Sequence, residues 1–129
     1  MIRRASFGLL CLIAASAAAA SDMLPLKRGI YVDVGVPCKG ASNADTLSYW
    51  GKDNGINQAH ASCRVTSLSK KGPHYDLGRT CRLVQGPYIG HRKDRLRLTI
   101  LSRTSFVAHW RGFQPEDTTY RYCGLKVQF

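Results

Sequence analysis

The sequence predicts an all-β fold, a small antiparallel barrel or sandwich of about seven short strands that two disulfide bonds hold together. Runs of alternating apolar and polar residues recur at roughly ten-residue spacing, with Gly, Pro, Asn and Asp between them. Four cysteines follow the first 20 residues. A chain of 129 residues is long enough for one domain and too short for a multidomain enzyme.

Residues 1–20 have the pattern of a signal peptide. Two arginines precede a short apolar run, and Ala18 and Ala20 are the small residues that signal peptidase accepts at its −3 and −1 positions. The apolar run is too short to cross a bilayer as a helix. We therefore expect residues 1–20 to be removed and residues 21–129 to form a single exported β domain, periplasmic or secreted.

The strand candidates follow in order along the chain. They are 29–34, 46–50, the hairpin 63–83, 95–101, 105–110 and 118–123, with a last apolar run over 125–129. In the first candidate Ile30, Val32 and Val34 share one face. The run 51–55 has the composition of a turn, and 56–62 is the one place where a short helix is expected.

The segment 95–101 alternates most regularly. This alternation places Leu96, Leu98 and Ile100 inside, and it places Arg95, Arg97 and Thr99 outside.

The four cysteines predict two disulfide bonds. An even number of cysteines in a short exported chain is typical of a disulfide framework. Cys63 and Cys81 are equidistant from Gly72, which breaks the 63–83 run, so a hairpin centred there would place them opposite each other. Cys38 would then pair with Cys123. No two of these cysteines are close enough in sequence for the usual zinc motifs.

The charge balance points to an anionic partner. The chain carries a formal charge of +11, which falls to +9 without Arg3 and Arg4. If Arg95 and Arg97 point outward beside Arg79 or Arg121, the sheet has a basic face. The alternative is a solvated strand face whose charges only discourage aggregation. The expected contact residues are Tyr88, His91, Arg92, Arg95 and Arg97, with Tyr88 to His91 in a loop. No nucleic-acid-binding motif is present, so we do not expect a nucleic-acid partner.

The sequence offers little for catalysis. His60, His74, His91 and His109 are too far apart in sequence to form a local metal-ligand pair. Two of them would act as acid and base in a secreted nuclease only if the fold brought them together. The motifs of a serine hydrolase, a phosphate-binding loop and a zinc protease do not occur. We expect no catalysis, no metal and no cofactor, and a small secreted hydrolase or nuclease is the second alternative.

The final strand candidate carries a resemblance. Tyr120-Arg-Tyr-Cys123, with the strand and cysteine pattern, resembles the periplasmic and membrane-anchored inhibitors of C-type lysozyme. This implies a non-catalytic periplasmic binding protein that inhibits or modulates an envelope hydrolase. The segments 29–40 and 47–51 are similar to exported proteins of Gram-negative bacteria, which supports the compartment and implies no activity. The first alternative is a protein that binds an anionic envelope glycan or lipid through its basic face.

Overall fold

The computed structural model describes residues 22–51, 55–111 and 115–129, except for the side chains of Gln85 and Tyr88. The predicted signal peptide lies outside the described residues, as does the middle of the turn predicted over 51–55. The strands are β1 (Gly29–Asp33), β2 (Thr46–Tyr49), β3 (Ile56–Gln58), β4 (Ala61–Lys71), β5 (His74–Gln85), β6 (Tyr88–Ser102), β7 (Ser105–Trp110) and β8 (Glu116–Tyr122). A short 3₁₀ turn, Asn43–Asp45, precedes β2.

All eight strands pair antiparallel in one sheet with the order β3-β2-β1-β8-β7-β6-β5-β4. The sheet curls into a nearly closed barrel, so that β3 comes beside β4. The backbone N–H of Cys63 on β4 donates to Oδ1 of Asn57 on β3 at 2.9 Å, which joins the two edges. The all-β fold class is confirmed, and so are the disulfide bonds Cys38–Cys123 and Cys63–Cys81.

The structure differs from the sequence prediction at the ends of elements. The expected helix over 56–62 is β3 followed by a turn at His60 (φ 61°), whose carbonyl accepts from the N–H of Val84. The expected loop over 88–91 is the first part of β6, because Gly86 (φ 58°) turns the chain directly from β5 into β6. Residues 125–129 form only an isolated bridge between Gln128 and Lys39.

The β4–β5 hairpin places its cysteines by means of a bulge. The turn is Gly72-Pro73, and the register from Lys71–His74 to Ser67–Gly78 would carry Cys63 past Cys81. A bulge between Val65 and Ser67 adds one residue to β4, and Cys63 then lies opposite Cys81 with a Cα–Cα distance of 4.0 Å. Gly78 faces the bulge, where a Cβ would collide with the side chain of Ser67.

The barrel interior is apolar and rich in tyrosine. Leu96 and Leu98 are buried on β6, as the alternation predicts. The segment before β1 fills one end of the barrel with the side chains of Leu24 and Leu26. The hydroxyl of Tyr49 accepts from the N–H of Leu24 at 2.9 Å and donates to its carbonyl at 3.0 Å, so a side chain fixes this segment in place.

A second, smaller cluster lies on the outer side of β1. Ile30 and Val32 are buried there with Cys123, beneath the chain that leads to Cys38. Val34, expected on the same face, is 52% exposed because β1 ends at Asp33 and the chain turns away. The carboxylate of Asp33 accepts from the N–H of Gly35 at 2.8 Å and stabilises this turn.

Candidate functional site

The outer surface of β4, β5 and β6 is a basic face. Tyr75, Leu77 and Cys81 of β5 point into the barrel, so the alternate residues of β5 and their cross-strand partners point outward. We use the name basic face for five of the exposed cations on this surface: Arg64 on β4, Arg82 on β5, and Lys93, Arg95 and Arg97 on β6. Adjacent strands are under 5 Å apart, so these charges form one continuous patch.

The basic face has few counter-charges. Asp76 lies opposite Arg97 but pairs with Arg95, whose Nη2 is 3.1 Å from Oδ2. Within the part of the chain that the structure describes, the other four cations make no hydrogen bond or ion pair. Cations on a surface without compensating acids create a positive potential that attracts anions.

Two arginines expected to contribute to the basic face do not. Arg79 points inward and is only 2% exposed. Its guanidinium binds both carboxylate oxygens of Asp94 at 2.8 and 2.7 Å and donates to the carbonyl of Ile56 at 2.8 Å. Arg121 on β8 donates to the carbonyls of Asp33 and Val36, both at 2.8 Å. Both side chains serve the fold, because burial requires a charged group to find partners.

The predicted contact residues separate into two groups. His91, Arg95 and Arg97 lie on the outer surface of β6, and His91 pairs with Arg82 across the strands. Arg92 belongs to the opposite side of β6, where it pairs in register with the buried Cys81 and its Nη2 is 3.5 Å from Oδ2 of Asp94. The side chain of Tyr88 lies outside what the structure describes.

A chain of hydrogen bonds joins two histidines at the end of the basic face nearest the β4–β5 turn. Nδ1 of His74 is 3.0 Å from Oγ1 of Thr99, and the same Oγ1 is 2.8 Å from Nε2 of His109. Nδ1 of His109 is in turn 2.9 Å from Oδ1 of Asp117. We call these four residues the histidine chain. They come from four adjacent strands, so only the complete sheet assembles them.

The partners of each group determine where the protons lie. When the His109 ring is neutral, its Nδ1–H donates to the Asp117 carboxylate and its Nε2 accepts from the Thr99 hydroxyl. Oγ1 of Thr99 then accepts from Nδ1–H of His74. The nuclease alternative requires that the fold bring two histidines together, and His74 and His109 do meet here, through the hydroxyl of Thr99.

All four histidines are candidates from the sequence, but their spacing does not predict that two of them meet. Gly86-Pro87 is the signal that would have found this, because it is a two-residue turn like Gly72-Pro73. Counting outward from Gly86-Pro87 pairs His74 with Thr99, as observed. Arg64, Arg82 and Lys93 join the site for the same reason, since their positions follow from the registers of the two hairpins.

Comparison with known protein families, with curated proteins and with solved structures finds no match for this chain. Among the described residues no helix is long and apolar enough to cross a membrane.

Proposed function

We propose that this protein is a non-catalytic binding protein that contacts an anionic glycan or lipid of the cell envelope through its basic face. The observation that carries the proposal is the presence of four cations on one exposed β surface that no acidic group within the described residues neutralises. A solvated face that served only to prevent aggregation would not require such an excess of positive over negative charge.

The proposal includes export to the periplasm or the medium. The signal-peptide pattern of residues 1–20 supports it, and so do the two disulfide bonds, which persist in oxidising compartments. Lipid phosphates and acidic glycans are the abundant anions that an exported protein meets there.

Inhibition of an envelope lysozyme is the other binding function to be tested. C-type lysozymes are themselves usually cationic, so a basic face gives no electrostatic steering toward them. An inhibitor would need to use a different surface, and it would form a complex that survives high salt.

The test is binding of the oxidised protein, lacking residues 1–20, to phosphatidylglycerol vesicles, with phosphatidylcholine vesicles as the neutral reference. The variant Arg64→Gln/Lys93→Gln/Arg97→Gln removes three cations from the basic face. Each cation near an anionic surface contributes about 1 kcal/mol, so the affinity should fall about a hundredfold. Binding by the unaltered protein should also weaken steeply with added salt.

The matched control is Arg103→Gln/Lys39→Gln/Lys126→Gln, which removes the same charge from exposed positions outside the basic face. It should retain most of the affinity. Equal losses in the two triple variants would mean that only net charge matters, which contradicts a site on the basic face. Retention of one envelope protein at defined stoichiometry in high salt would instead support the inhibitor function.

A further inference from the structure

A groove of about 460 Å³ opens at the end of the basic face where the histidine chain lies. The charged residues and histidines that line it include Lys71, His74, Asp76, Arg97, His109 and Arg111. Arg97 links the two features, because it belongs to the basic face and lies directly opposite His109 across β6 and β7.

The groove is positive because its acidic groups are already paired. The carboxylate of Asp76 binds Arg95, and that of Asp117 binds the ring of His109. Glu116 lies to one side, in a neighbouring depression that Arg111 also lines. Lys70 lies over the ring of Tyr75, 5.6 Å from its centroid, and neither it nor Lys71, Arg97 or Arg111 makes an ion pair among the described residues, so four cations line the groove.

The histidine chain can change its donors when it gains protons. With both rings neutral, the Thr99 hydroxyl gives its only proton to Nε2 of His109. With both rings protonated, Nδ1–H of His74 and Nε2–H of His109 both donate to Thr99, whose two lone pairs can accept both. The Thr99 O–H is then free to donate elsewhere. Two protons thus add two positive charges and release one hydroxyl donor beside Arg97.

We infer that this groove binds one phosphate or sulfate ester group of the anionic partner and that binding is coupled to protonation of His74 and His109. A tetrahedral oxyanion suits the donors: the guanidinium of Arg97 offers parallel N–H groups, and Thr99 supplies an O–H. The bound anion and the imidazolium groups stabilise each other, so each favours the other's presence. The inference rests on the proposed function and adds the chemical group that is recognised.

The test uses inorganic sulfate and isothermal titration calorimetry at constant ionic strength, because sulfate stays a dianion between about pH 5.5 and about pH 8, where histidine titrates. Any change of sulfate affinity with pH in that range is then caused by protonation of the protein and not of the ligand. One additional charge-assisted hydrogen bond predicts affinity at least about tenfold higher at the lower pH. Buffers that differ in ionisation enthalpy should show proton uptake on binding. Inorganic phosphate, measured next, shows whether the groove prefers either ion.

Two variants separate the histidine chain from general charge. Thr99→Val removes the shared hydroxyl with little change of volume, and we expect it to lose most of the pH-dependent gain in sulfate affinity. His60→Asn is the matched control, because it removes an exposed histidine outside both the groove and the basic face, and asparagine tolerates the positive φ of that turn. It should behave like the unaltered protein. Circular dichroism of both variants establishes that the barrel is intact.

Sulfate affinity that does not change with pH would overturn the inference, and so would equal pH dependence in the unaltered protein and Thr99→Val. An equal loss in His60→Asn would also overturn it. The result of the vesicle experiment does not depend on the result of the sulfate titration, so the two proposals can fail separately. Selective loss of vesicle binding in the basic-face triple variant, without sulfate coupling, rejects this inference alone. Sulfate coupling without vesicle selectivity rejects the proposed function and leaves the groove as an isolated anion site.

Discussion

The outer surfaces of two regions of the barrel differ, because one is covered by a returning segment of chain and the other is exposed. We call β1, β2 and β8 the stapled half, because the Cys38–Cys123 bond ties the chain over them. On that half both terminal nitrogens of Arg121 donate hydrogen bonds to backbone carbonyls of the covering chain. On the long-stranded half, β4 to β6, Arg97 occupies an equally outward position and has no partner among the described residues. The covering chain therefore gives Arg121 partners that Arg97 lacks.

The disulfide bonds should show the largest contrast between the halves. Cys38 and Cys123 are 85 residues apart and Cys63 and Cys81 are 18 apart. Because closing the longer loop removes more entropy from the unfolded chain, Cys38→Ala/Cys123→Ala should cost about 4–5 kcal/mol and Cys63→Ala/Cys81→Ala about 3 kcal/mol. Urea unfolding at neutral pH measures both. A larger cost for the hairpin pair would show that local packing around Cys63 and Cys81 outweighs loop length.

A graded series of arginine variants sharpens the same comparison. Arg79 makes three hydrogen bonds in the interior, Arg121 makes two at a half-buried site, and Arg97 makes none among the described residues. Replacement by Met keeps the length of the side chain and removes the charge. The expected losses in free energy of unfolding are about 3 kcal/mol for Arg79→Met and about 2 kcal/mol for Arg121→Met.

Arg97→Met is the control within this series and should remain within about 0.5 kcal/mol of the unaltered protein. The same variant should weaken vesicle binding, whereas Arg121→Met should leave the vesicle affinity of the folded protein unchanged. A destabilisation by Arg97→Met as large as that by Arg121→Met would mean that the basic face contributes to the fold and is not reserved for a ligand.

Local pattern was sufficient to predict much of the long-stranded half. Alternation over 95–101 predicts which side chains point outward, and the distance of each cysteine from Gly72 predicts the Cys63–Cys81 bond. The second success depends on the bulge at Thr66, which offsets the one-residue shift of the Gly72-Pro73 turn. The local sequence does not predict that bulge. Residues 88–91 form a strand and not a loop because Gly86-Pro87 is a second two-residue hairpin turn.

The sequence predicts burial of charge poorly. Arg95 alternates with Leu96 and Leu98 and lies outside with Asp76, whereas Arg79 shares the face of Leu77 and Cys81 and lies inside with Asp94. The alternation of β5 indicates this inward position, but a buried arginine is not expected until its partner on the next strand is known. The histidine chain is hidden for a related reason, since its four members meet only through three strand registers.

The smallest expected effect concerns the tyrosines of the stapled half. The Tyr31 hydroxyl donates to the carbonyl of Lys27 at 2.6 Å, so Tyr31→Phe should cost about 1 kcal/mol at neutral pH. Burial raises the pKa of Tyr31 from 10.0 to about 12, with smaller contributions from neighbouring tyrosines. Because the unfolded chain loses this proton first, the free energy of unfolding falls as pH rises from about 10 to about 12.

Phenylalanine does not titrate, so the stability difference between the unaltered protein and Tyr31→Phe should shrink over that pH range. Urea unfolding at several alkaline pH values measures it. Tyr75→Phe, in the long-stranded half, is the control, because the Tyr75 hydroxyl makes no hydrogen bond within the described residues. Its stability at neutral pH should match that of the unaltered protein. If the Tyr31→Phe difference stayed constant to about pH 12, the hydroxyl would be exposed to solvent, and the segment before β1 would not seal that end of the barrel.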